Sequence, residues 1–228
     1  ITTGENKKTK IINSEEAEIE ILQNSNLKLN DITAYENIFE LKNGSIKFNT
    51  KMSYVEYSVE EGIKYKIMTS LATIETFNSN FYFAYFNKSG FSFEVKFGWV
   101  SLKPINSNSL IYCAGGYIIN YDPATVILIP YRKKSSIDFI SAVQKFAKFP
   151  EDEEAFNFII RNAKEYDSLT LWHLLNNSDP TRQKLIIDKL DLLLLLDLKS
   201  ETKNGASFSP EAKQNLLKFI RSMVVMRE

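Results

Sequence analysis

Phe91-Ser92-Phe93-Glu94-Val95-Lys96-Phe97-Gly98-Trp99-Val100-Ser101-Leu102 is the stretch that decides the fold of the N-terminal half. From Phe91 to Phe97 the apolar residues fall on odd positions, the period of a strand with one face in a core. After Gly98 they also occupy Val100 and Leu102, so the parity changes at the glycine. A strand keeps its parity unless a residue is inserted. Gly98 is therefore predicted to be a bulge or corner where the chain passes to the next face.

The same alternation extends upstream through Ile19 and Ile21, Phe39 and Leu41, and Ile46 and Phe48. Turn-forming clusters punctuate it at Asn24-Ser25-Asn26, Asn30-Asp31, Asn43-Gly44, Glu61-Gly62, Asn78-Ser79-Asn80, Lys88-Ser89-Gly90, Asn106-Ser107-Asn108 and Asp122-Pro123. Many short strands with regular turns predict an all-β sandwich, barrel or solenoid.

Beyond Arg132-Lys133-Lys134-Ser135-Ser136 the period becomes helical. Phe156, Ile159, Ile160 and Ala163 make one stripe at i, i+3, i+4 and i+7. Asp179-Pro180 and Ser209-Pro210 each set a capping residue before a first-turn proline, and Glu151 to Glu154 supply acidic residues after Pro150. Helices are predicted at roughly 137–148, 151–165, 168–176, 180–197 and 210–226. The fold class is thus α+β by segregated domains: an all-β domain over residues 1–134 and an all-α helical bundle over 135–228.

Charge narrows the partners. The 228 residues carry 28 Lys+Arg against 28 Asp+Glu. The balance holds within each half, with 15 basic and 14 acidic groups up to residue 134 and 13 and 14 after it. Nucleic acid and anionic membrane surfaces both require excess positive charge, and neither is expected as a partner. No apolar run, Leu192 to Leu196 included, is long enough to span a bilayer. The chain starts at Ile1 rather than Met, so a targeting segment would lie ahead of it.

Few residues suit catalysis. His173 is the one histidine, and it sits beside Trp172 on a predicted helix, which reads as packing. Cys113, between Tyr112 and Ala114, reads as a small buried apolar residue. Glu60-Glu61 and Glu153-Glu154 are neighbours that cannot converge on one point, and Gly115-Gly116 lacks the Lys-Ser/Thr of a phosphate loop. No catalytic, cofactor or metal residues are assigned. The run Phe81-Tyr82-Phe83-Ala84-Tyr85-Phe86 reads first as a strand buried on both faces. Its other reading is an exposed aromatic surface, for which Tyr82, Tyr85 and Trp99 are the candidate interaction residues.

The segment from Gly62 to Thr125 resembles the FecR domain of bacterial envelope proteins. The resemblance is carried by Gly62 to Ile74, by Asn78-Ser79-Asn80-Phe81-Tyr82-Phe83, by Glu94 to Leu102 and by Ala114-Gly115-Gly116. Leu27 to Thr33 is similar to the step that opens such domains, and Leu41 to Ile46 to the strand after it. Ser70 stands where the family usually has proline, and Asn78-Ser79 where it has Gly-Thr.

The resemblance implies an elongated β module without enzymatic activity, exposed in the periplasm and tethered to a membrane through a segment before Ile1. Its partner would be another envelope or membrane protein, met in signalling. The helical second half departs from the family's iron-transport regulators and is similar to envelope proteins that join such a domain to a helical tail. The alternative from another class is a carbohydrate- or peptidoglycan-binding module using the surface aromatics. No cofactor is expected on either reading.

Overall fold

The computed structural model describes residues 1–12, 17–50, 63–76, 79–86, 89–105, 107, 109–198 and 208–225. The predicted turns at Glu61-Gly62 and at Asn78, Lys88, Asn106 and Asn108 lie wholly or partly outside these residues. The chain divides into two compact units, Ile1–Pro123 and Ala124–Glu228. The first is built of strands and the second mainly of helices, with one two-residue strand at Tyr131–Arg132, which matches the segregated α+β pattern.

In the first unit the strands are β1 (Thr9–Ile12), β2 (Glu18–Ile21), β3 (Asn26–Ile32), β4 (Glu36–Asn49), β5 (Lys64–Met68), β6 (Ala72–Thr76), β7 (Ser79–Tyr85), β8 (Phe91–Pro104), β9 (Ile111–Ala114) and β10 (Tyr117–Tyr121). Two of them, β4 and β8, are 14 residues long, and each belongs to two sheets. The front sheet runs β3, first half of β4, β5, β6, second half of β8, β9. The back sheet runs β1, β2, second half of β4, β7, first half of β8, β10. All of these pairs are antiparallel except β4 with β5. Phe48 of the back sheet meets Tyr65 of the front edge to face at 4.9 Å, so the two inner faces share one core. The β unit is therefore sandwich-like, with its two layers joined through strands that bend from one into the other.

The bends explain the parity change. Between Asn80 and Phe81 the pairing of β7 with β8 slips by one residue, leaving Lys96 as an extra residue on β8. Gly98 follows at φ +82°, a conformation that side chains disfavour. Phe91, Phe93 and Val95 are buried before the bulge, and Val100 and Leu102 after it. Gly116 and Gly115 fill the bulge by donating their amides to the carbonyls of Val95 and Gly98, at 2.9 and 3.0 Å.

In β4 the bend falls at Gly44, φ +93°. Asn43-Gly44 is thus a kink within one strand and not the chain-reversing turn expected of it. Ser25 clasps this kink, its hydroxyl accepting from Ser45 N at 2.8 Å and donating to Ser45 O at 3.1 Å. Asn30-Asp31 is likewise a bulge inside β3, at the register shift between Leu29 and Asp31.

Two tight turns are built alike. Thr33 Oγ1 accepts from the amides of Tyr35 and Glu36 and donates to Glu36 O. Thr69 Oγ1 accepts from Leu71 and Ala72 and donates to Ala72 O. A hydroxyl two and three residues upstream of the amides replaces the backbone partners that the reversal removes. The second of these turns is where Ser70 stands in place of proline.

In the second unit the helices are α1 (Ile137–Lys148), α2 (Glu153–Asn162), α3 (Ser168–Asn176), α4 (Pro180–Leu194) and α5 (Pro210–Val225). Ser136, Asp152 and Asp179 cap α1, α2 and α4 by accepting first-turn amides. Helix α3 is buried at every position from Ser168 to Leu175, which puts it at the centre of the bundle. The unit starts earlier than the expected division after residue 134. Val126 and Ile127 donate to Ala147 O, Thr170 Oγ1 donates to Pro130 O at 2.8 Å, and Ser135 Oγ donates to Asp167 Oδ1 at 2.6 Å. These bonds fasten the segment ahead of α1 to the helices. Among the described residues no helix is long and apolar enough to cross a membrane.

Candidate interaction face

The predicted aromatic trio does not form one surface. Tyr85 is only 2% exposed; its ring stacks on Phe83 and its hydroxyl lies 2.5 Å from Ser70 Oγ. Phe81 and Phe83 on the same side of β7 are fully buried. Tyr82 points the other way, to the outer face of the back sheet, where its hydroxyl donates to Ser45 Oγ at 3.3 Å. Trp99 lies beyond the bulge in β8 and so belongs to the outer face of the front sheet. The structure separates the three because β8 changes sheet at Gly98, between the strand that carries Tyr82 and the position of Trp99.

What Trp99 does join is a different set. Its ring lies 5.8 Å from Tyr112, inclined by 35°. Tyr112 is directly opposite Ser101, and the cross-strand row continues through Glu75 and Lys66 to Ile38. The neighbouring row runs Lys28, Glu40, Met68, Thr73, Lys103. Opposed charges thus sit side by side on this face, the arrangement that favours cross-strand pairing. Glu75 accepts from Lys64 at 3.0 Å and Lys66 at 3.5 Å, and Lys64 also reaches Glu36 at 3.7 Å.

A shallow depression of about 360 Å³ opens on this face. Lys66, Thr73, Glu75, Ser101, Lys103, Pro104, Ile105 and Leu110 line it. Ile105 and Leu110 are 55% and 41% exposed, so the apolar part of the lining is open to contact. Half-buried aromatics beside exposed apolar and charged side chains offer both the apolar area and the polar groups that protein contacts use.

Of the remaining candidates, Glu60-Glu61 lie outside the described residues and the others are structural. His173 is buried at 1% exposure, with its ring edge to face against Trp172 at 4.8 Å. Cys113 is wholly buried, and that burial pushes its thiol far above the usual range, which keeps it protonated and a poor nucleophile. Glu153 pairs with Arg182, whose guanidinium also lies over the rings of Phe146 and Phe156. Gly115-Gly116 is the corner described above. Among the described residues no group of three or more His, Cys, Asp or Glu is placed to hold a metal ion.

Tyr112, Lys66, Glu75, Lys103, Ile105 and Leu110 were not among the predicted residues. The outward direction of Tyr112 was available from its place between Ile111 and Cys113 in a strand. Its neighbours were not, because they depend on which strands pair and in what register.

Neither a protein-family model nor a curated protein matches this sequence. Two crystal structures of a candidate anti-sigma factor from Parabacteroides distasonis, at 1.65 and 2.50 Å, are similar, each at 12% identity with a TM-score of 0.49. The likeness covers 62% of this chain and 62% of theirs.

Proposed function

We propose that this chain is a FecR-type envelope module with a helical tail, acting without catalysis as a protein-binding element in signalling and working in the periplasm. Several residues that carry the resemblance occupy positions their chemistry suits. Thr33 and Thr69 close equivalent turns, Gly98 bends β8, and Gly115-Gly116 fills the bulge. The surrounding residues therefore serve a scaffold, and the function lies on its exposed faces.

The observation that carries the protein-binding reading is the outer face of the front sheet. There Trp99 and Tyr112 adjoin a depression whose lining includes Pro104, Ile105 and Leu110. Balanced charge leaves little long-range steering, so recognition rests on local shape and apolar contact. The partner is another envelope or membrane protein.

The reading is tested by placing a photo-crosslinking side chain at Ser101 and, as a control, at Lys47 on the outer face of the back sheet. A discrete protein adduct from Ser101 and none from Lys47 is the expected result. Equal, diffuse labelling from both positions would count against it.

A further inference from the structure

Resting on the protein-binding reading, we infer that the depression on the front sheet receives an extended, acidic and apolar segment of the partner, with a carboxylate over Lys66 and Lys103 and an aliphatic side chain against Ile105 and Leu110.

The argument is one of charge and shape. The lining carries two ammonium groups, Lys66 and Lys103, and one carboxylate, Glu75. That carboxylate is already held by Lys64 and Lys66. Lys103 is exposed and makes no ion pair among the described residues. Among the described residues that line it, two lysines against one glutamate leave the depression with one net positive charge, although the chain as a whole is neutral. Thr73 and Ser101 add hydroxyls that can donate to a carboxylate or to a peptide carbonyl. Ile105 follows Lys103 by two residues, and Leu110 lines the same depression. A ligand must then present its charge and its apolar group side by side on one face. An extended segment does this with residues two apart, because alternate side chains of a strand point the same way.

The probes are short synthetic peptides of equal length carrying glutamate and leucine two residues apart, lysine and leucine in the same places, or glutamate and serine. Binding to the full chain is measured at low and at physiological salt. The glutamate-leucine peptide is expected to bind best and to weaken as salt rises. Lys103→Glu should weaken it by about tenfold or more and turn the preference to the lysine-leucine peptide. Leu110→Ser should weaken it while leaving the charge preference intact. Both side chains are exposed, and unchanged thermal unfolding of each variant shows that the fold survives.

Indifference to the sign of the peptide charge, no response to Lys103→Glu, or no peptide binding at all overturns the inference. So does binding at this face of N-acetylglucosamine oligomers in place of peptides. A protein adduct at Ser101 together with any of the first three results removes the acidic segment but keeps the protein-binding reading. Absence of that adduct removes the reading itself.

Discussion

Single residues set the two bends on which the β unit depends. A Cβ added at Gly44 would land on Ser25, overlapping its backbone and hydroxyl, in a backbone conformation that already disfavours side chains. Gly44→Ala is expected to lower stability by about 2–4 kcal/mol in denaturant unfolding, combining backbone strain with overpacking. Gly98 was legible from the parity change alone. Gly44 was not, because Asn-Gly has the same local signature whether it reverses a chain or kinks one.

Glu20 makes a second prediction at this scale. Hydrogen bonds from Lys8 at 2.8 Å and then Lys47 at 3.2 Å hold its carboxyl below the usual glutamate range. A lowered folded pKa gives stabilisation that is complete above the ordinary value of about 4.3 and is lost as pH falls through the folded value. Glu20→Gln should therefore lower stability at neutral pH, leave it nearly unchanged at acid pH, and so flatten the fall between the two. Denaturant midpoints measured from neutral to acid pH check this, and an equally steep fall in the variant would contradict it.

At the scale of elements, the two threonine turns show how burial changes the cost of one chemical edit. Thr69 is 6% exposed, whereas Thr33 is open to water. Removing the hydroxyl from Thr69 strands the amides of Leu71 and Ala72 in a site water reaches poorly, and Thr69→Val should cost about 1–3 kcal/mol. Water can replace the lost hydroxyl at Thr33, so Thr33→Val should cost less than about 1 kcal/mol. Equal costs in parallel unfolding experiments would show that the bonds do not set the stability of these turns. Helices were the most legible elements. Their caps are local, and Asp179-Pro180 specifies a start without any tertiary contact. α2 and α4 nonetheless end earlier than predicted: α2 at Asn162, where Ala163 turns extended at ψ 138°, and α4 at Leu194, because apolar periodicity in Leu192 to Leu196 continues past the residue, Leu195, that turns left-handed at φ +53°.

For the molecule as a whole, the division into units is decided by where hydrogen bonds go. A fragment beginning at Ala124 keeps the bonds of Val126 and Ile127 to Ala147, of Thr170 to Pro130 and of Ser135 to Asp167. A fragment beginning at Ser136 loses them all and leaves Asp167 Oδ1, largely buried, without its hydroxyl donor. The longer fragment should melt at least about 5 °C higher by circular dichroism. Similar melting temperatures would mean that the segment ahead of α1 contributes little.

The sequence by itself determined the two structural regimes, the helix starts, the glycine at which β8 changes face and the neutrality of each half. All of these are local, since period, capping and charge are written within a few residues. Only the tertiary structure decided that β4 and β8 each serve two sheets, that Tyr82, Tyr85 and Trp99 part company, and that Trp99 meets Tyr112 beside Lys66, Glu75 and Lys103. Strand pairing brings together residues far apart in the chain, and one extra residue at Lys96 reverses every side chain beyond it. Alternation says that a side chain points outward, and register alone says what stands next to it.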